Sequence, residues 1–390
     1  MTVADALSLS QDRGRPAPAE ASRLSGLVRT IWLEADASDG VWGVYLIDQT
    51  RLPLQSVILC CRSLNDLQKA IQSLAVRGAP ALGVAAAMGL AIWAQNESEA
   101  EDVAGFLEEL AAAAKRIATA RPTAVNLSWG AARLLRFAQE WTGQTPAETA
   151  AGAAGDAAAA AATGAPSLAV TLSASASEAQ RLAALKAALI DFAREMASVD
   201  ERTNRAIGAR GAPLLAPGSR VLTICNTGSL ATAYFGTALG VVYTAWEQGR
   251  VAEVWACETR PLNQGSRLTL WELMRCGIPA TLIADSMAAT CMATGRVDCV
   301  LVGADRICAN GDAANKIGTL SLAVLAAHFG LPFYVVAPRS SIDASLASGT
   351  GIEIEQRDAR ELAGFSARGL ITPASSVEAD ALRLLTEAGA

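Results

Sequence analysis

Between residues 220 and 337 five short apolar runs, at 220–225, 251–257, 279–284, 297–303 and 332–337, are separated by stretches long enough for a helix. Few folds accommodate that rhythm. A strand that is apolar on both faces must be covered on both, and a helix between successive strands lets them run parallel. The pattern predicts an α/β architecture with a Rossmann-like, doubly wound parallel sheet over 206–390. Sheets of that kind bind ligands beyond the carboxyl ends of their strands.

At 390 residues the chain exceeds the size at which one hydrophobic core stops growing, so a second domain is expected. Residues 28–59 carry short β-rich pieces, 63–75 and 131–140 have helical apolar spacing, and 99–120 is amphipathic. A further helical pattern runs over 178–206, with Ile190, Phe192, Met196 and Val199 as contacts. These elements predict a small N-terminal α+β domain over 26–205. The nearly apolar run 81–94 is shorter than the roughly 18 to 20 residues a membrane span needs, and reads as a buried helix. Two segments fall outside the pattern. Residues 144–177 consist almost wholly of Ala, Gly, Thr and Ser and read as a loop insertion, and residues 1–25 read as a disordered leader without a secretory signal.

Composition narrows the function. Lys and Arg number 32 against 38 Asp and Glu, a net charge of -6 with no block of one sign, so neither nucleic acid nor a membrane surface is an expected partner. Eight Cys show no zinc-type or disulfide-scaffold spacing, which fits reduced thiols in a cytoplasmic protein. A single His328 removes most metal-site and His-dependent schemes. Neither a dinucleotide fingerprint nor a Walker P-loop is present. Catalysis by side chains, with no metal and no cofactor, is the expectation.

Two apolar runs end in polar and small residues that suit a ligand site: Thr223-Ile-Cys-Asn-Thr-Gly-Ser229 and Val302-Gly-Ala-Asp-Arg306. After the first, Asn226, Gly228 and Ser229 precede an Ala-rich stretch, read as a helix whose free amides hold an anion beside Cys225. Asp305 follows a buried strand directly, where burial would raise its pKa into the range of a proton donor. Structural alternatives stand beside both readings: Cys225 as a small core residue, and Asp305 paired with Arg306 or capping a helix. Arg77 and Arg121 each precede small-residue turns and suggest anion recognition, or else pairing with a carboxylate. Asn315-Lys316 enters a helix where it can reach a phosphate or hydroxyl, and Arg260 and Gln264 lie on a loop after a strand.

The segments LAVRGAPALGVAAA, RPTAVNL, CNTGSLAT, ETRPLNQGSRLT, VGADRICANGDAANKIGT, PFYVVAP and GIEIEQRD follow one another in that order. Together they resemble the methylthioribose-1-phosphate isomerase family. The wider group includes ribose-1,5-bisphosphate isomerases and regulatory subunits of a translation-initiation nucleotide-exchange factor. The likeness spans about residues 28–365. It implies conversion of 5-methylthioribose 1-phosphate to the ribulose 1-phosphate in methionine salvage, by a homodimer acting on a small sugar phosphate. It implies substrate contacts at Arg77, Gly78, Ala79, Arg121, Gln264, Asn315 and Lys316. Asp305 becomes the proton donor and Cys225 the transition-state stabiliser or base.

Several positions depart from the family pattern. Ile224 and Trp246 stand where His is common, which predicts a drier pocket, Asp285-Ser286 replaces Asp-Asn, and the usual tail motif after residue 365 is missing. Two alternatives follow from the same resemblance: a ribose-1,5-bisphosphate isomerase, which needs a second phosphate site, and a non-catalytic regulatory subunit. Met and Trp in the chain and the lack of an extra basic cluster suit a methylthio group better than a second phosphate.

Overall fold

The computed structural model describes residues 23–121, 124–143, 176–354 and 360–363. The expected leader up to residue 22, the alanine-rich segment from 144 to 175 and the tail beyond 363 lie outside the described residues. Three antiparallel strands, β1 (Ile31–Ala35), β2 (Trp42–Ile47) and β3 (Ile58–Cys61), form a meander in that order. Pairing of Ile31 with Leu46 and Leu33 with Val44 puts four apolar side chains on one face, all buried.

That face packs on helices α1 (Leu64–Gln72), α2 (Ala79–Asn96), α3 (Val103–Ala118), α4 (Val125–Trp141) and α5 (Glu178–Gly211). Helix α2 is apolar all round and buried at every residue from 81 to 94, so it is the hub of this layer. A Cβ on Gly130 would overlap the Gly83 carbonyl, so α4 and α2 cross almost backbone to backbone. Helix α5 starts with a capping box between Ser177 and Gln180 and runs five residues beyond the expected end at 206, to Gly211.

The second half builds β4 (Ser219–Thr223), α6 (Ala238–Glu247), β5 (Val251–Cys257), α7 (Leu270–Arg275), β6 (Ala280–Ile283), α8 (Ala288–Ala293) and β7 (Cys299–Val302). After β8 (Arg306–Cys308) and β9 (Ala313–Ala314) come α9 (Thr319–Phe329), β10 (Phe333–Val335) and β11 (Ile342–Asp343). Five strands make one parallel sheet in the order β10-β7-β4-β5-β6, each matching an apolar run of the sequence. Alternate residues feed opposite faces: Val221, Val254 and Leu301 pack under α6, whereas Leu222, Trp255 and Val300 pack under α8 and α9. The first strand of the sheet, β4, lies beside the fourth, β7. That is the switch point of a doubly wound sheet, where a crevice opens. A separate small sheet, β11-β8-β9, follows β7 and was not legible in the sequence.

Candidate active site

A cavity of about 370 Å³ opens at this switch point, between the carboxyl ends of β4 and β7 and the first turns of α2 and α4. The N-terminal layer contributes Arg77, Gly78, Ala79 and Arg121 to its wall. The sheet side contributes Cys225, Gln264, Asp305, Asn315 and Lys316. All the residues implied by the family resemblance therefore line one space.

Cys225 leaves β4 with a positive φ of 65°, a conformation that few non-glycine residues adopt. Two bonds hold it: its N–H donates to Thr259 Oγ1 at 3.2 Å, and its carbonyl accepts from Thr269 Oγ1 at 2.6 Å. Thr259 is fixed in turn, its N–H donating to Asp285 Oδ1 at 2.9 Å. Burial raises the Asp285 carboxyl above its ordinary value, against the opposing Thr259 bond. Arg77 Nη2 lies 3.7 Å from Cys225 Sγ, while Arg77 Nη1 is buried without a partner.

Helix α2 begins at Gly78, whose φ is 93°, with Pro80 in its first turn and no side-chain cap. Helix α4 likewise starts after Ala124 without a side-chain cap. Uncapped amides at a helix start, with an Arg just upstream, favour an anion. The sequence suggested a further helix start of this kind after Asn226, and the structure corrects that. Residues Ser229–Ala231 form one 3-10 turn, and the helix begins only at Ala238. The amides of the turn are engaged: Leu230 by Glu272, Ala231 by the Gly228 carbonyl, Thr232 by the Ser229 carbonyl and Ala233 by Asp200.

Asp305 lines the cavity and is exposed, not buried as the sequence suggested. Its N–H donates to the Ala314 carbonyl at 2.9 Å, and neighbouring Arg306 lies 3.7 Å from Asp343. Gln264 is buried with Oε1 unpartnered, and Asn315 Nδ2 donates to Thr319 Oγ1 at 3.2 Å. Arg260 points elsewhere, donating to the Leu362 carbonyl at 2.7 Å. Ile224 is buried in the core under α8 and α9, and Trp246 packs under Arg23. Neither lines the cavity, so their expected drying effect on it does not follow. Its apolar wall is Leu, Ile, Val, Ala and Pro, without the Met and Trp the sequence reading invoked.

Asn126 and Thr227 escaped the sequence reading, and Asn226 was singled out only for the amides that follow it; all three line the cavity and are buried, each with a polar atom lacking a partner. Their signal was their place inside RPTAVNL and CNTGS, where a buried polar side chain needs a reason. Among the described residues no three His, Cys, Asp or Glu gather as a metal site, and none of their helices is long and apolar enough to cross a membrane.

A thiol, a carboxyl and several cations around helix starts at the switch point of a doubly wound sheet are the equipment of a protein that handles a small anionic molecule. The chain belongs to the Initiation factor 2 subunit family, whose family model matches residues 75–375. It is 47% identical over 341 residues to a 5-deoxyribose 1-phosphate isomerase from Moorella thermoacetica, covering 86% of this chain and 87% of that one. It is 47% identical over 334 residues to a methylthioribose-1-phosphate isomerase from Xanthomonas euvesicatoria, covering 86% and 82%. The crystal structure of 5-methylthioribose 1-phosphate isomerase from Pyrococcus horikoshii superposes with a TM-score of 0.71 at 38% identity, over 87% of this chain and 83% of that one.

Proposed function

We propose that this chain is an aldose-ketose isomerase that converts 5-methylthioribose 1-phosphate to 5-methylthioribulose 1-phosphate, a step of methionine salvage. The observation that carries the reading is the single cavity lined by both Cys225 and Asp305, faced by Arg77, Arg121 and Lys316. Relatives 47% identical over most of their length are isomerases of pentose 1-phosphates. A scaffold subunit has no need of that constellation.

A phosphate on the anomeric oxygen blocks ordinary ring opening, so an acid must protonate the ring oxygen while the C1 bond to it breaks. We assign that proton to Asp305. The uncapped starts of α2 and α4, with Arg77 and Arg121, suit the phosphate. The C2 hydrogen then has to reach C1 while the C2 hydroxyl gives its proton to Asp305 carboxylate, restoring the acid. In our reading the Cys225 sulfur takes that hydrogen from C2 as a proton, leaving an enol, and returns it to C1, with Arg77 balancing the charge. Substrate deuterated at C2 tests this route: complete transfer of label to C1 points to a direct hydride shift instead.

The apolar wall, including Leu74, Leu82, Val125 and Leu262, suits an uncharged group at C5 better than a second phosphate. Purified protein should form a ketose from 5-methylthioribose 1-phosphate, with kcat/KM well above that for ribose 1,5-bisphosphate. Cys225→Ser and Asp305→Asn should each lower kcat by 100-fold or more, on the order of 3 kcal/mol of barrier. A wild type that converts no pentose 1-phosphate rules the reading out. We also assign the chain a two-domain organisation, a cytoplasmic location and a homodimeric state, the last because Ile317, Leu320 and Val324 leave an apolar face on and before α9 exposed.

A further inference from the structure

Asn226 follows Cys225 in the wall of the cavity and is only 4% exposed. Its side-chain nitrogen donates to Glu272 Oε1 at 2.7 Å and to Thr269 Oγ1 at 3.3 Å, which uses both of its hydrogens. Its carbonyl oxygen is buried and has no partner. Glu272 settles which way round the amide lies, because donors surround that carboxyl: Asn226 Nδ2, the Tyr243 hydroxyl at 3.0 Å and the Leu230 amide at 3.4 Å. A carboxyl so placed accepts from the amide nitrogen and turns the amide oxygen away. Glu272 is itself buried, and a Cβ on Gly228 would come within 2.5 Å of its carboxylate, so neither partner has room to shift.

A buried acceptor left unpartnered in the wall of a ligand cavity is a site for an incoming donor. A sugar supplies one in each hydroxyl. We infer that Asn226 is a further substrate-binding residue whose side-chain oxygen accepts a hydroxyl of the pentose, and that Glu272 is a positioning residue that holds it there. Thr269 serves the same end from the other side: its hydroxyl donates to the Cys225 carbonyl while receiving the Asn226 amide. The Cys225-Asn226 pair is thus held as a unit by one turn of chain at the start of α7. This rests on the sugar phosphate reading above and adds to it the recognition of a hydroxyl.

Inhibition by pentose 1-phosphate analogues lacking the 2- or the 3-hydroxyl tests the binding claim. Wild type should bind one of them at least 10-fold more weakly than the parent sugar, and Asn226→Ala should lose that discrimination while kcat/KM falls 10- to 100-fold. Glu272→Ala should reproduce the loss, and Glu272→Gln, which keeps an acceptor toward Asn226, should recover most of it. An Asn226→Ala protein that discriminates as wild type does overturns the proposal. A readout free of turnover separates the two readings: iodoacetamide labelling of Cys225, followed by peptide mass against exposed Cys60. Its rate should change at least threefold in Glu272→Ala and return toward wild type in Glu272→Gln. If wild type converts no pentose 1-phosphate but labelling behaves so, the substrate reading falls and the positioning stands. Equal labelling in all three overturns the positioning.

Discussion

Gly78 sits where three demands meet: a φ of 93°, the N-cap of α2, and a contact so close that a Cβ would overlap the Ala231 carbonyl. Gly78→Ala therefore meets a left-handed backbone cost of about 1 kcal/mol and must also push the start of α2 away from the turn beyond β4. We expect destabilisation on the order of 2 to 4 kcal/mol by urea denaturation, with protection by inorganic phosphate lost even where folding survives. A variant as stable as wild type would sink this account. At this scale the sequence carried identity better than conformation. Arg77-Gly78-Ala79 was readable as a ligand segment, whereas the positive φ of Cys225 and the exposure of Asp305 depend on Thr259, Thr269 and Ala314, brought in by chain folding. Asn226 was read for the backbone amides after it and not for its side chain, for the same reason: nothing nearby in sequence announces Glu272.

Secondary elements were legible in proportion to how far burial alone decides them. The five parallel strands are apolar on both faces and declare themselves, while β8, β9 and β11 have two or three residues each and no period to read. The turn after Asn226 looked like a helix start because Ala, Ser and Thr suit both, and only the distant carboxyls of Glu272 and Asp200 decide between them. Those carboxyls give the fold a pH dependence. Burial pushes both up to about 7, from 4.5 for Glu272 and 3.8 for Asp200, outweighing the hydrogen bonds that favour their charged forms. An acid whose folded pKa is raised contributes stability that is complete below the unfolded value and lost as pH rises through the folded one. Stability should thus decline from about pH 4 to pH 7 through these two groups. Salt-bridged Asp298, held below its ordinary value, acts at lower pH. Each pKa unit is worth about 1.4 kcal/mol, so Glu272→Gln and Asp200→Asn should each flatten the slope of melting temperature between pH 5 and pH 8. Each should gain on the order of 1 to 3 kcal/mol at pH 8 relative to pH 5. A slope as steep in both variants as in wild type would refute the assignment.

The described residues form two layers that meet at the cavity. Thr30 donates to the Ser229 carbonyl through its hydroxyl and to the Ala233 carbonyl through its N–H, Gln49 donates to the Leu230 carbonyl, and Asp200 accepts from Ala233, so the turn beyond β4 is tied to the N-terminal layer at several points. The cavity lies along this seam, which is why its wall draws on both halves of the chain and why no single stretch of sequence reveals it. On its far rim Ile317 lines the cavity and is also 75% exposed, and Leu320 and Val324, one helical turn apart on α9, are 77% and 60% exposed. Two large apolar side chains one turn apart on α9, with Ile317 just before it, are a cost in water that a second copy of the chain would remove. A twofold axis through α9 would pair the face with itself. Leu320→Asp with Val324→Asp should then shift the protein from dimer to monomer by sedimentation, at unchanged helix content. Because Ile317 belongs to both the face and the cavity wall, the monomer should also bind sugar phosphate more weakly, raising KM severalfold with kcat less affected. Wild type that sediments as a monomer, or a double variant that stays dimeric, would place the contact between copies elsewhere and leave the α9 face unexplained by it.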